Sequence, residues 1–417
     1  MVTQVIIVCD CCGTKFRLRW QLNEYKNPFV IRCPKCKIKI HGALEHGHDH
    51  VVYNASVTDD YDNIKYVQEV SAEFLTYKLT PASEFTDQLS PFMRSNIMNK
   101  SNVLRYLKFI EKHPNEAETI HELYVSNNYV FLKKKLNDKN NVYINTLKQS
   151  NKKLKIFPEI DLYIVSHHYV MVSLLCSGVE VDANDVIDKV LQIAKRNLNQ
   201  VDKFSKLMNE NGYYLSLNQK FIKLVGLYNK NYLSLIAPIT VKKLDDKDLM
   251  TFGLSSADYE ELLNLYNNTY EFIGEFIIYV IGLNNIYERG TYNEFKSGIF
   301  DIEQKVKQED KYNRIQSFVK EGEILSEGYC DTLNKIVRNS AAHFSVEYDT
   351  FTQIITFINE NKKKTLTEKM YLFELAQEVL KIFSLAIKLW EIAYQLEKHR
   401  MLSYLSVDMM CKNVEIK

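Results

Sequence analysis

The chain has 417 residues, of which 46% are hydrophobic and 25% charged; this excludes a disordered or fibrous class and exceeds what one ordinary core holds. Its 53 Lys and Arg nearly cancel its 52 Asp and Glu, so no whole-molecule field draws it to nucleic acid or an anionic membrane, and any such binding must be local. Five of the eight cysteines lie within the first 36 residues, a distribution that suits metal binding in a reducing compartment better than disulfides. The N-terminus has no basic, apolar signal pattern. The most apolar runs, Tyr163–Cys176 and Phe272–Leu283, fall short of the ~18 residues of a membrane span and read as buried helices. A soluble cytoplasmic protein without a membrane partner is expected.

Residues 1–44 form a small β module, because Val5–Val8, Phe16–Arg19 and Lys37–His41 alternate as strands do around cysteine turns. Two C-x-x-C pairs, Cys9 with Cys12 and Cys33 with Cys36, stand about twenty residues apart, the spacing of a four-thiolate zinc site. Cys11 is an extra thiol, and Cys9 is preferred to it as the ligand. Gly13 follows the first pair, where a positive φ is often needed. With Val5–Val8 before them and Val30–Arg32 between them, the pairs resemble the short zinc ribbons that open many bacterial proteins, although Lys37 stands where those usually carry glycine. Such a closed site holds one structural Zn²⁺ per chain and leaves no coordination position for hydrolysis. Lys15, Arg17, Arg19, Lys35, Lys37 and Lys39 make the module basic, as a nucleic-acid contact or as solvated strand faces.

Residues 45–65 read as a polar linker, and its His46, His48 and His50 as part of that linker rather than as a metal tract. From 66 to 250 a helical domain is expected. Candidate helices lie near 64–79, 91–112, 115–137, 158–177, 183–211 and 217–236, with Pro81, Pro91, Pro114, Pro158 and Pro238 in the gaps and Gly178 and Gly212 as C-caps. Lys133–Lys135 and the lysines at 152, 153 and 155 read as ordinary surface, and His167 and His168 as core histidines. A second block, 251–400, carries a long helix from about 254 to 287, further helices near 292–319, 323–343 and 365–397, and a β-hairpin over Val346–Asn359. Residues 401–417 form a tail. The fold class is mainly α, with a β ribbon at the start and a helical bundle at the end.

One helix of that block ends Arg338-Asn339-Ser340-Ala341-Ala342-His343. On an ideal helix Asn339 and His343 lie ~40° apart and Arg338 is turned ~100° from Asn339, so one copy does not align the arginine with the histidine. This run resembles the HEPN superfamily, whose mark is Arg, four to six residues, then His, often with Asn directly after the Arg. The helices before it, the hairpin after it and the terminal helix agree over residues 251–400, and the "RN-x-x-A-H" ending is similar to that of bacterial defence and toxin members. The resemblance implies metal-independent RNA cleavage on a C2 homodimer whose two motifs share a cleft, with an antitoxin or defence partner. His343 would exchange protons at the 2′-OH or the leaving 5′-oxygen, Arg338 would stabilise charge on the phosphate, and Asn339 would orient either. Glu271, Glu275, Glu288 and Arg289 are further candidates for the cleft. The alternative is a non-catalytic scaffold or regulatory subunit that binds nucleic acid or protein, in which Arg338 and His343 serve only the helix terminus.

Overall fold

The computed structural model describes residues 2–21, 26–45, 50–86, 106, 110, 115–136, 158–342, 345–361 and 364–402. The chain divides into two compact units. Unit 1 comprises Met1–Ser101, Tyr228–Asn267 and Asn334–Leu380; unit 2 comprises Asn102–Leu227, Asn268–Leu333 and Lys381–Lys417. The expected blocks 1–44, 45–65, 66–250, 251–400 and 401–417 do not coincide with these units. Three of the crossings, at residues 227, 267 and 380, fall inside continuous helices, where no linker composition marks them.

Unit 1 opens with strands β1 (Val2–Cys9), β2 (Lys15–Gln21), β3 (Asn27–Arg32), β4 (Lys39–Leu44), β5 (Val51–Tyr53), β6 (Ala55–Thr58), β7 (Tyr66–Val70), β8 (Thr76–Tyr77) and β9 (Thr80–Pro81). One sheet runs β6-β1-β2-β7-β9 and another β3-β4-β5. Ile7, Cys9, Phe16, Leu18, Phe29, Ile31, Cys33 and Ile40 form their shared core. The strands expected at Val5–Val8, Phe16–Arg19 and Lys37–His41 are present within β1, β2 and β4. Two expectations fail. Residues 45–65 are not simply a linker, because β5 and β6 pair with β4 and β1 and satisfy backbone groups on those edges. The helix expected at 64–79 is instead β7 and β8, since the edge of β2 offers β7 a parallel ladder from Phe16↔Tyr66 to Trp20↔Val70.

The rest is mainly helical. Helices α1 (Glu116–Val125), α2 (Tyr129–Leu136), α3 (Pro158–Cys176), α4 (Ala183–Arg196), α5 (Leu198–Glu210), α6 (Tyr213–Thr240) and α7 (Asp246–Thr251) follow in order. The helix expected at 115–137 is two, parted at Asn127, whose φ of 56° is left-handed. That at 183–211 breaks at Asn197, which caps α5 by accepting from the Gln200 N–H at 3.4 Å. Gly178 and Gly212 end helices with φ of 85° and 72°, as expected, but Pro238 lies in the last turn of α6 rather than in a gap. The helix expected at 91–112, Pro91, Pro114, His46, His48 and the lysines at 152, 153 and 155 lie largely or wholly outside the described residues.

Next come β10 (Phe252–Gly253), α8 (Tyr259–Phe276), α9 (Ile278–Arg289), β11 (Glu294–Phe295), β12 (Gly298–Ile299), α10 (Ile302–Lys307), α11 (Lys311–Phe318), α12 (Lys335–Ala342), β13 (Val346–Tyr348), β14 (Ile354–Asn361), β15 (Lys364–Tyr371) and α13 (Leu372–Leu402). The long helix expected from 254 is α8 and α9, and helical bonding runs through their joint from Ile277 N to Ile273 O at 2.8 Å. The helix expected at 292–319 is the β11–β12 hairpin followed by two short helices capped by Asp301 and Asp310. The one at 323–343 shrinks to α12. Leu325, Tyr329 and Leu333, spaced as on one face of a helix, are buried, but on turns rather than on a helix, because Gly322 and Gly328 adopt φ of 83° and 82°. The hairpin expected over 346–359 gains β15, which pairs with β14 from Ile354↔Tyr371 to Asn361↔Lys364, and the last helix therefore starts only at Leu372.

Within unit 2 an aromatic and histidine cluster forms part of the core. Phe221 stacks on Trp390 at 4.4 Å, and Trp390 Nε1 donates to Asn218 Oδ1 at 3.0 Å. His167 lies buried against Tyr394 and meets Glu391 Oε2 at 2.7 Å through Nε2, the core role expected of it.

Candidate metal centre and candidate catalytic helix

The two cysteine pairs build matching knuckles. In the first, Cys9 N donates to Thr14 O at 2.9 Å and Gly13 N to Cys9 O at 2.9 Å; in the second, Cys33 N donates to Ile38 O at 2.9 Å and Lys37 N to Cys33 O at 2.8 Å. Gly13 has φ 70° and Lys37 has φ 64°, so the lysine adopts the left-handed turn that glycine takes in the other knuckle. Cys9 Sγ lies 3.6 Å from Cys36 Sγ and Cys12 Sγ 3.5 Å from Cys33 Sγ, and all four sulfur atoms are within 4.8 Å of one another. A tetrahedral ion with bonds of about 2.3 Å needs sulfur atoms about 3.8 Å apart, and this set fits. Cys11 is exposed and outside the cluster, which decides for Cys9. Without a cation, burial resists the charge: it pushes the Cys9 thiol up to about 12 and raises that of Cys33. A divalent ion removes that penalty by neutralising the thiolates it binds.

The basic side chains of the module are largely matched within unit 1. Lys15 Nζ meets Asp60 at 2.5 Å, and Lys39 Nζ meets Asp258 at 2.7 Å. Arg32 pairs with Glu260 at 2.7 Å and lies over the Tyr259 ring, while Arg19 lies 3.7 Å from Glu69. Arg17 lies over Phe85. Lys39 and Arg32 thus bind the first turn of α8, whose exposed N–H groups favour the acidic residues that receive them.

The candidate catalytic helix is α12. Asn334 caps it: its Oδ1 accepts from Ile336 N at 2.9 Å and Val337 N at 3.2 Å, while its Nδ2 donates to Glu368 Oε1 on β15 at 2.7 Å. The Asn334 N–H donates to the Tyr266 hydroxyl at 3.0 Å. One residue therefore starts the helix and ties it to the sheet. Sequence reading passed over Asn334, although an asparagine just before an amphipathic run is a legible cap signal. Arg338 and Asn339 are half-buried, and Arg338 Nη1 donates to Asn339 Oδ1 at 3.0 Å. The asparagine thus fixes the guanidinium. At the far end Ser345 N donates to Ser340 O and Ile358 N to Ser345 O, both at 2.9 Å, which joins α12 to β14. His343 lies outside the described residues.

The other cleft candidates have roles within unit 2. Glu271 and Glu275 pair with Lys311 and Lys220 at 2.6 Å, Arg289 pairs with Glu323 at 2.7 Å, and Glu288 is exposed. Lys133, Lys134 and Lys135 are exposed on the last turn of α2, as surface residues. Among the described residues no helix is long and apolar enough to cross a membrane. The chain matches no family model, no curated protein and no solved structure.

Proposed function

We propose that the chain is a metal-independent endoribonuclease of the HEPN type, carrying a structural zinc ion on Cys9, Cys12, Cys33 and Cys36. The observation that supports it best is the Arg338–Asn339 pair, oriented on a capped helix that leads into a sheet and then the long helix α13. Cleavage would begin with loss of the 2′-OH proton and attack of that oxygen on the adjacent phosphorus. The 5′-oxygen then leaves with a proton, which yields a 2′,3′-cyclic phosphate and a 5′-OH end. His343 is the group able to give or take these protons near neutral pH, and Arg338, held by Asn339, is suited to charge building on the phosphate oxygens. Two copies related by C2 symmetry would supply two such sets to one phosphodiester.

The reaction needs no ion at the phosphate, so RNA cleavage should persist in EDTA as long as the ion on the four cysteines stays in place. Arg338→Ala and His343→Ala should each lower it by roughly 10²-fold or more, and a 2′-deoxy substitution at the cut site should block it. Intact RNA under all these conditions sinks the proposal. The second reading, a scaffold whose ribbon serves its own fold, draws on the pairing of Lys15, Arg32 and Lys39 with carboxylates of the same unit. It gains if the protein dimerises without cutting RNA.

A further inference from the structure

The turn between β13 and β14 reaches the cysteine module. Phe351, at its tip, packs against the ribbon core alongside Cys12, Cys36 and Ile38, with its ring 5.7 Å from that of Tyr66. The turn itself is tightly built. Asp349 Oδ1 accepts from Phe351 N at 3.1 Å and from Thr352 N at 2.7 Å. Gln353, with φ 54°, bonds both backbone groups of Leu254 at 2.9 Å, and Lys78 Nζ donates to Thr352 O at 2.6 Å. A rigid tip is therefore seated on a core that contains two of the four ligands, Cys9 and Cys33, and Asp349 beside it feels the charge of Lys37 in the second knuckle. From that tip, β13 and β14 run back to Ser345, whose backbone bonds reach Ser340 on α12.

We propose that the ion in the cysteine cluster positions the candidate catalytic helix mechanically, through Phe351 as the positioning residue. The ion does no chemistry at the phosphate. It holds the two knuckles together, the knuckles carry Cys9 and Cys33 into the core on which Phe351 sits, and the seated turn fixes the register of β13 on β14 and so the C-terminal end of α12. Without an ion nothing links the two knuckles, since the four cysteines form no disulfide, and the core between them is free to loosen. The inference rests on the metal reading of the cluster and refines the proposed function: cleavage that ignores EDTA at the phosphate would still depend on the ribbon ion.

The test uses the full-length protein and hydrogen exchange, which reads position independently of RNA cleavage. Zinc is measured, released with a mercurial thiol reagent and chelator, and added back after reduction. Exchange of peptides covering 335–342 and 345–357 should rise at least tenfold on release and recover on zinc addition, while peptides of α9 in unit 2 stay unchanged. In zinc-loaded Phe351→Ala the same peptides should exchange faster at unchanged zinc stoichiometry, and Phe351→Leu should restore their protection. Retained protection at 345–357 in the ion-free protein, or wild-type exchange in Phe351→Ala, overturns the proposal. A purified chain that neither carries nor takes up an ion overturns the metal reading and this inference with it. RNA cleavage is scored separately, so the nuclease proposal fails or survives on its own.

Discussion

Asn334→Ala isolates the forces that hold α12 in place. An eight-residue helix is marginal by itself, so its caps and anchors decide whether it forms. The substitution removes the cap on Ile336 N and Val337 N, worth about 1 kcal/mol. It also removes the bond to the half-buried Glu368 carboxylate, worth about another 1 kcal/mol. Together these would raise the population of the opened helix about 30-fold at roughly 1.4 kcal/mol per tenfold. Asn334→Ser keeps the cap and gives up only the sheet anchor, so it should cost about half as much. Asn334→Asp also keeps the cap but sets a carboxylate against Glu368, and should fall between Ala and Ser or below both. Hydrogen exchange of a peptide covering 335–342 reads the effect directly. Wild-type exchange in Asn334→Ala, or a serine variant as damaged as the alanine one, would refute this division between cap and anchor.

Three other outcomes follow from the geometry. Cys33→Ser should abolish stoichiometric zinc binding and Cys11→Ser should leave it at one ion per chain, as read by metal analysis of the purified proteins; equal loss in both would overturn the ligand set. Gly253→Ala would place a Cβ 2.1 Å from Gln353 Oε1 and break its two bonds to Leu254, at a cost of about 2 kcal/mol, visible as a lower urea midpoint at constant slope. In unit 2, burial lowers His121 to about 3 and His168 to about 4, and also lowers His167. The unfolded chain therefore binds more protons once the pH drops below about 6.5, and stability should fall from there toward pH 5 with His121 and His168 contributing a slope approaching two protons, about 3 kcal/mol per pH unit, and His167 adding in the same direction. His121→Phe should flatten that slope by about one proton in urea melts at pH 7.5 and pH 5.

The cysteine pairs were legible because each knuckle is a local turn and its spacing survives in one dimension. Helix ends at Gly178 and Gly212 and the core role of His167 were legible for the same reason: a glycine in a helix gap and a histidine in an apolar run report their own surroundings. Elsewhere distant partners overrode local pattern. Tyr66–Val70 forms a strand because the edge of β2 is available, and Lys364–Tyr371 because β14 is. Leu325, Tyr329 and Leu333 have helical spacing and are buried, yet two left-handed glycines deny them a helix.

What this amino-acid order determined by itself is therefore short in range: the paired cysteine turns, the apolar stripes and the Arg338-Asn339-Ser340-Ala341-Ala342 run in the last turns of a helix. Only the tertiary structure decided that Cys9 and not Cys11 joins the cluster, that Arg338 rests on Asn339, and that Phe351 packs against a core running from Val5 to Leu79. The seating of Phe351 depends on burial between segments hundreds of positions apart, and the other two on which neighbouring side chains the folded turn and helix bring together; such contacts leave no periodicity in the chain itself.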